Sequence, residues 1–103
     1  MPKKKIPENR YRASRICRVL GNPTAYEMLH ILKGGAKKPS ELAKILGLSI
    51  PTVSQVLRWL RQLDLVRYDV KLRERIYWIK EDTVLIVMRM LENVVAKIKT
   101  KEY

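Results

Sequence analysis

Residues 40–60 have the sequence SELAKILGLSIPTVSQVLRWL, in which two segments with helical spacing are joined by a short turn. Three apolar side chains of the first segment are expected to face inward: Leu42, Ile45 and Leu46. The turn contains Gly47, and Ser49 is a favourable N-cap for a second helix over residues 50–63. Two helices joined by a three-to-four-residue turn with a glycine are typical of a helix-turn-helix.

The second helix of this motif has an apolar face and a polar face. In a helix-turn-helix the N-terminal half of the second helix enters the major groove of DNA. Arginine can bind guanine and glutamine can bind adenine through paired hydrogen bonds, so Gln55 and Arg58 are the base-reading candidates. The alternative is an ordinary solvated helix face. The candidate DNA-contacting residues of this helix and its cap are Ser49, Pro51, Thr52, Ser54, Gln55, Arg58 and Arg61.

A basic hairpin is predicted after the motif. Residues 65–70 and 75–79 have the character of strands, and the charged linker 71–74 separates them. Three cationic side chains cluster there and are candidates for contact with the DNA backbone: Lys71, Arg73 and Arg75. The same charges could instead protect a strand edge from pairing, and the two roles are compatible.

Helices are also predicted on both sides of the motif. The first begins near Arg10 and is ended by Gly21 in the C′ position, and Asn22 caps a second helix. A final helix begins at residues 81–83 and is rich in apolar residues as far as Ile98. The predicted fold class is therefore mainly α with a small β-hairpin, with five helices and a two-stranded wing.

The charge of the chain points to a polyanionic partner. Lys and Arg number 22 against 10 Asp and Glu, a net charge of +12, while residues 81–103 are charge-neutral.

The single cysteine, Cys17, excludes an internal disulfide framework and is expected to be a small buried hydrophobe. The single histidine, His30, is expected to be an ordinary helix residue, and no metal site or cofactor is predicted. No apolar run is long enough to span a membrane, so a cytoplasmic protein is expected.

The last helix is apolar over more than one stripe. Such a helix must be covered on more than one side, and a chain of 103 residues has little core with which to cover it. A second copy of the chain is the simplest cover. An amphipathic membrane helix is the competing interpretation, but the zero net charge of this segment argues against it.

The sequence resembles the ArsR-type winged-helix transcription regulators over about residues 12–80. The resemblance runs through LGNPT at 20–24, MLHIL at 28–32, SELAKILGLS at 40–49 and PTVSQVL at 51–57, and ends with RIYW at 75–78. It implies a homodimeric, repressor-like DNA binder whose first and last helices form the dimer interface. The implied interface residues are Ile16, Leu20, Val84, Val87, Met88, Leu91, Val94, Val95 and Ile98.

One departure from the family concerns metal sensing. Metal-sensing members place cysteines at the start of the third helix, or histidine and acidic ligands on the last helix. Here the third helix starts without cysteine and the last helix has no histidine, so a non-metal-sensing variant is expected and the small-molecule effector is unknown.

The domain organisation follows from these elements. Residues 1–9 are a basic flexible tail, whose lysines at 3–5 could reach DNA or only solubilise the chain. Residues 10–80 are the winged helix-turn-helix, and residues 81–103 are a dimerisation helix within the same domain.

Two alternatives to a sequence-specific regulator remain: a sequence-independent architectural nucleoid protein and a winged-helix protein–protein adaptor. An enzyme is not expected, because the lone His and Cys have no matched partners.

Overall fold

The computed structural model describes residues 5–102, with side chains through residue 99. Within this part of the chain, five helices and one antiparallel hairpin confirm the predicted fold class. The elements are α1 Glu8–Leu20, α2 Pro23–Lys33, α3 Pro39–Leu46, α4 Ile50–Gln62, β1 Val66–Lys71, β2 Glu74–Ile79 and α5 Thr83–Glu102. Helix α1 starts two residues earlier than predicted, and Lys3 and Lys4 of the predicted tail lie outside the described residues.

Short polar contacts fix the starts of the helices. The Asn22 side chain accepts the Ala25 N–H at 3.0 Å, and the Ser49 hydroxyl accepts the Thr52 N–H at 3.3 Å. Both caps were predicted, and both satisfy donors that a helix start leaves free. Gly47 ends α3 with φ 68, a left-handed conformation that glycine adopts without strain. Gly21 ends α1 as predicted, with φ −73 in the right-handed helical region.

One hydrophobic core joins all the helices to the hairpin. Helices α2 and α4 contribute half of its buried residues, and burial of apolar faces is the main driving force for the fold. The buried residues are Leu20, Ala25, Met28, Leu29, Leu32, Leu42, Ala43, Val53, Val56, Leu57, Leu60, Leu65, Val66, Tyr77, Val84 and Met88.

Two residues expected to face inward are exposed. Ile45 on α3 lies at the surface, because α3 is only eight residues long and buries one narrow side through Leu42 and Ala43. Cys17 on α1 is also exposed, because α1 has a single buried residue, Leu20, at its last position.

The hairpin has a tighter turn than predicted. The strands pair from Val66 with Ile79 to Lys71 with Glu74, so only Leu72 and Arg73 remain in the turn rather than the predicted four residues. Both have positive φ, 49° and 67°, as the type I′ two-residue hairpin turn requires. The strand β2 is also tied to the segment before α3 by reciprocal backbone hydrogen bonds between Lys37 and Tyr77.

Helix α5 is buried in the body only through its N-terminal part. Val84 and Met88 are 5% and 1% exposed and belong to the core, whereas every described residue from Arg89 onward is exposed. Three of the predicted interface residues, Leu20, Val84 and Met88, are thus buried mainly by their own chain, although Leu20 and Val84 also line the groove between α1 and α5.

Candidate nucleic-acid interface

The N-terminus of α4 presents hydroxyl groups and backbone donors together. The Ser49 and Thr52 hydroxyl oxygens are 2.8 Å apart, and both side chains are exposed beside Pro51. Ser54, another predicted contact, is half-buried. The first N–H groups of a helix and its dipole favour a phosphate group at this end. The arrangement is therefore suited to holding a phosphate of a DNA backbone.

The outward face of α4 carries the predicted base-reading side chains. Gln55 and Arg58 are exposed one turn apart, on the side of the helix opposite the buried Val53 and Leu57. Among the described residues, neither forms an ion pair or a side-chain hydrogen bond within the chain. Their hydrogen-bonding groups are thus available to the edges of bases.

The wing places further cations beside this helix. Lys71 and Arg73 lie at the tip and Arg75 at the start of β2, and all three are exposed. Glu74, the one acidic residue at the tip, is bound by the Lys38 ammonium at 2.7 Å. The pKa of Lys38 is raised, and the main reason is the hydrogen bond from the Lys38 ammonium to Glu74. This ion pair offsets the acidic charge that would otherwise lie between the wing cations.

An aromatic ring connects the wing to the last turn of α4. The guanidinium carbon of Arg75 lies 4.6 Å from the ring centroid of Tyr68, and that of Arg61 lies 5.7 Å from it. The predictions included both arginines but missed Tyr68. Sequence alternation did place Tyr68 on the same face of the hairpin as the buried Val66, and this was the available signal.

Not every arginine near the wing is free. Arg67 donates to Asp64 at 3.2 Å, and the Lys80 ammonium binds the other oxygen of the same carboxylate. The hydrogen bond from Lys80 is the largest cause holding the pKa of Asp64 below its ordinary value, and Arg67 adds to it. This cluster closes the base of the hairpin, so Arg67 is engaged within the chain.

An uncovered apolar surface lies away from α4. A groove between α1 and α5 is lined by apolar residues that include Ile16, Cys17 and Val87. A second groove on α5 continues from Val87 through Leu91 to Val94. The predicted interface residues that are exposed along α5 are Val87, Leu91, Val94, Val95 and Ile98. Apolar area this extensive is characteristic of a protein interface.

A polar cluster connects α2 to the middle of α5. The Tyr26 hydroxyl donates to Glu92 Oε2 at 2.6 Å, and His30 Nε2 lies 2.7 Å from the same oxygen. These contacts lower the pKa of Glu92, with the hydrogen bond from Tyr26 as the largest cause. Burial, with Glu92 nearby, raises the pKa of Tyr26 to about 12. No sequence pattern indicates this cluster, because Glu92 is more than 60 positions from both Tyr26 and His30.

Among the residues that the structure describes, no group of three or more His, Cys, Asp or Glu side chains could hold a metal ion. No described helix is long and apolar enough to cross a bilayer.

A helix-turn-helix followed by a basic two-stranded wing defines the class of winged-helix DNA-binding proteins. Residues 22–68 match the model of the bacterial ArsR regulatory protein family. That segment comprises the helix-turn-helix and the start of the wing. The chain is a winged-helix DNA-binding transcription regulator, and it is similar to the ArsR family over these residues.

Solved structures of regulators share the fold. The regulator HlyU from Vibrio vulnificus is 25% identical with a TM-score of 0.71, over 84% of this chain and 91% of that one. A homodimeric winged helix-turn-helix domain from Mycobacterium bovis is 19% identical with a TM-score of 0.77, over 98% and 96%. The transcriptional repressor BigR from Xylella fastidiosa is 20% identical with a TM-score of 0.76, over 91% and 96%. No curated protein matches the sequence.

Proposed function

We propose that this regulator is a homodimeric repressor that recognises a palindromic duplex site. One observation supports this most: the same chain has a polar face on α4 without internal partners, a basic wing, and uncovered apolar residues on α5. The first two features are suited to binding DNA, and the third is suited to joining two DNA-binding chains. The repressor assignment follows the similarity to BigR, and the DNA partner of a bacterial regulator implies a cytoplasmic location.

Bases would be read by the middle of α4. Gln55 and Arg58 are exposed and can bind adenine and guanine respectively through paired hydrogen bonds. Ser49, Pro51 and Thr52 would meet the phosphate backbone at the helix N-terminus, with Ser54 beside them. Arg61 lies two turns further along and would contact backbone at the edge of the groove.

The wing would hold the adjacent DNA backbone. Lys71, Arg73 and Arg75 are exposed cations on one hairpin, and phosphate contacts of this kind raise affinity without selecting sequence. Their neighbour Glu74 is already paired with Lys38, which favours approach of a polyanion.

The dimer seam would be formed by α5 together with α1. Its residues are the members of the predicted set that lie outside the buried core: Ile16, Val87, Leu91, Val94, Val95 and Ile98. Ile16 is half-buried and borders the groove that α1 forms with α5. The homodimeric mycobacterial domain, which covers 98% of this chain, supports two-fold assembly.

The regulator would act without catalysis and without a metal. We expect its DNA affinity to be indifferent to zinc, cadmium or arsenite, because the described residues bring no thiolate and imidazole set together. Titration of the protein–DNA complex with stoichiometric metal tests this. A reproducible tenfold loss of DNA binding would contradict it.

The central experiment is selection of bound sequences from a random duplex pool. We expect a palindrome whose half-sites are about 34–36 Å apart, the spacing of successive major grooves on one side of DNA. Binding without sequence enrichment would instead indicate an architectural nucleoid protein. Absence of duplex binding would indicate a protein–protein adaptor.

A further inference from the structure

Tyr68 brings together two cationic side chains that belong to different elements. Arg75 on β2 lies with its guanidinium carbon 4.6 Å from the ring centroid, and Arg61 in the last turn of α4 lies at 5.7 Å. Both distances are within the range in which a cation is attracted to an aromatic ring. The ring is therefore a contact point between the recognition helix and the wing.

The position of this ring is fixed by the sheet. Tyr68 pairs directly with Tyr77 in the hairpin, and the two ring centroids are 5.2 Å apart. Tyr77 is only 3% exposed, and its backbone is hydrogen-bonded to Lys37 in the segment before α3. The Tyr68 ring thus packs against the buried side chain of Tyr77. The backbone of Tyr77 is paired with Tyr68 in the hairpin and with Lys37 before α3.

Contact with an aromatic ring can orient an arginine side chain before it binds DNA. A guanidinium that lies over an aromatic face keeps its N–H groups in the plane, where they can bind phosphate oxygens. The contact also restricts a side chain that otherwise loses considerable rotamer freedom on binding. Arg67 gives the contrast, since its N–H groups are directed to Asp64 within the chain.

We propose that Tyr68 is a positioning residue that holds Arg61 and Arg75 in one arrangement, ready to contact the same stretch of DNA backbone. This inference rests on the proposed function and deepens it. The ring then links a cation of the helix to a cation of the wing. Tyr68 itself need not touch DNA.

The experiment is a mutant cycle measured on duplex DNA. Tyr68→Leu removes the aromatic face, and Tyr68→Phe keeps it and serves as the matched control. We expect Tyr68→Leu to weaken binding about fivefold to tenfold and Tyr68→Phe to stay within about twofold of the parent. In a chain that also carries Arg61→Ala and Arg75→Ala, Tyr68→Leu should cost less than about twofold, because no cation remains to be held.

A second measurement uses the parent chain without DNA and does not depend on folding of a variant. Protons of the Arg75 side chain that lie over the Tyr68 ring should show upfield NMR shifts, and Tyr68→Phe should preserve them. Absence of these shifts would overturn the inference.

Two results in the mutant cycle would also overturn it. Either Tyr68→Leu binds like the parent while Arg75→Ala binds weakly, or Tyr68→Leu costs equally with and without the arginines. In both cases the wing assignment of the proposed function would stand. If instead Arg61→Ala and Arg75→Ala bind DNA like the parent, the positioning role and the wing contact fail together.

Discussion

The two parts of the DNA surface differ in which residues they offer to DNA. Gln55 and Arg58 project from α4 with free hydrogen-bonding groups, while Arg73 stands at the tip of a hairpin. Base contacts discriminate between sequences, and phosphate contacts do not. A side-chain deletion at each place should therefore leave a different signature.

We expect Gln55→Ala or Arg58→Ala to cost about 1–3 kcal/mol on the preferred site and little on other duplexes. Arg73→Ala should weaken all sequences similarly and reduce the slope of log affinity against log salt by about 1. Titrations of preferred and scrambled duplexes at several salt concentrations measure both effects. The assignment is reversed if the wing variant changes the preferred base and the helix variants do not.

Glu92 gives the stability of α5 a pH dependence. Its pKa is lowered from 4.5, chiefly by the hydrogen bond from Tyr26 and then by that from His30, so its carboxylate favours the folded state. A carboxyl group with a lowered folded pKa stabilises above its unfolded pKa, and the contribution is lost as pH falls through the folded value. The contribution of Glu92 is therefore complete at neutral pH and absent in acid.

We expect Glu92→Gln to lower the thermal midpoint at pH 7, with the difference from the parent shrinking as the pH falls below 4.5, the ordinary pKa of a glutamate. Glu27→Gln, on the exposed side of α2, is the matched control and should have little effect at either pH. Thermal unfolding across this pH range is the measurement. An equal difference at pH 7 and pH 3 would show that the carboxylate charge is not what stabilises the contact.

At the scale of elements, the turn of the wing places Leu72 in the left-handed backbone region, which is unfavourable for leucine. Leu72 has φ 49 and is 96% exposed, so it has the strain of left-handed backbone and no packing to offset it. Asparagine is preferred at such positions in two-residue hairpin turns. The turn is therefore a site where a substitution can stabilise the fold without altering the charge of the wing.

Leu72→Asn should stabilise the chain by about 1 kcal/mol, which raises the thermal midpoint by about 4–8 °C in a domain of this size. DNA affinity should stay near that of the parent, since Lys71, Arg73 and Arg75 are unchanged. Leu72→Ala is the control, because alanine removes the exposed leucine without favouring positive φ. A midpoint for Leu72→Asn that is no higher than that of Leu72→Ala would contradict the argument.

Local signals in the sequence predicted the elements better than the contacts between them. Asn22 and Ser49 mark helix starts because a cap acts within three residues of itself. The exposure of Ile45 and Cys17 depends on how much of α3 and α1 the other helices cover, which helical spacing cannot show. The wing contact of Tyr68 likewise depends on the packing of the hairpin against α4.

At the scale of the whole molecule, α5 connects dimerisation to DNA recognition. Its N-terminal part is buried in the body through Val84 and Met88, and its described apolar residues beyond Met88 are exposed in a single chain. A rigid attachment at one end and a seam at the other would fix the distance between two copies of α4. Each copy alone would read only one half-site, so a monomer should bind weakly.

Leu91 lies at the middle of this surface, 46% exposed and lining the groove between Val87 and Val94. Leu91→Asp would place an unpaired carboxylate in the seam, and two-fold symmetry would repeat the cost of several kcal/mol in both copies. Ile86→Asp is the matched control, since Ile86 is 50% exposed on the same helix but is not among the predicted seam residues. We expect Leu91→Asp to be a monomer by sedimentation, with normal helical content and without high-affinity DNA binding, while Ile86→Asp remains dimeric. A Leu91→Asp chain that stays dimeric, or a monomer that binds the full palindrome as tightly as the parent, would place the dimer seam elsewhere.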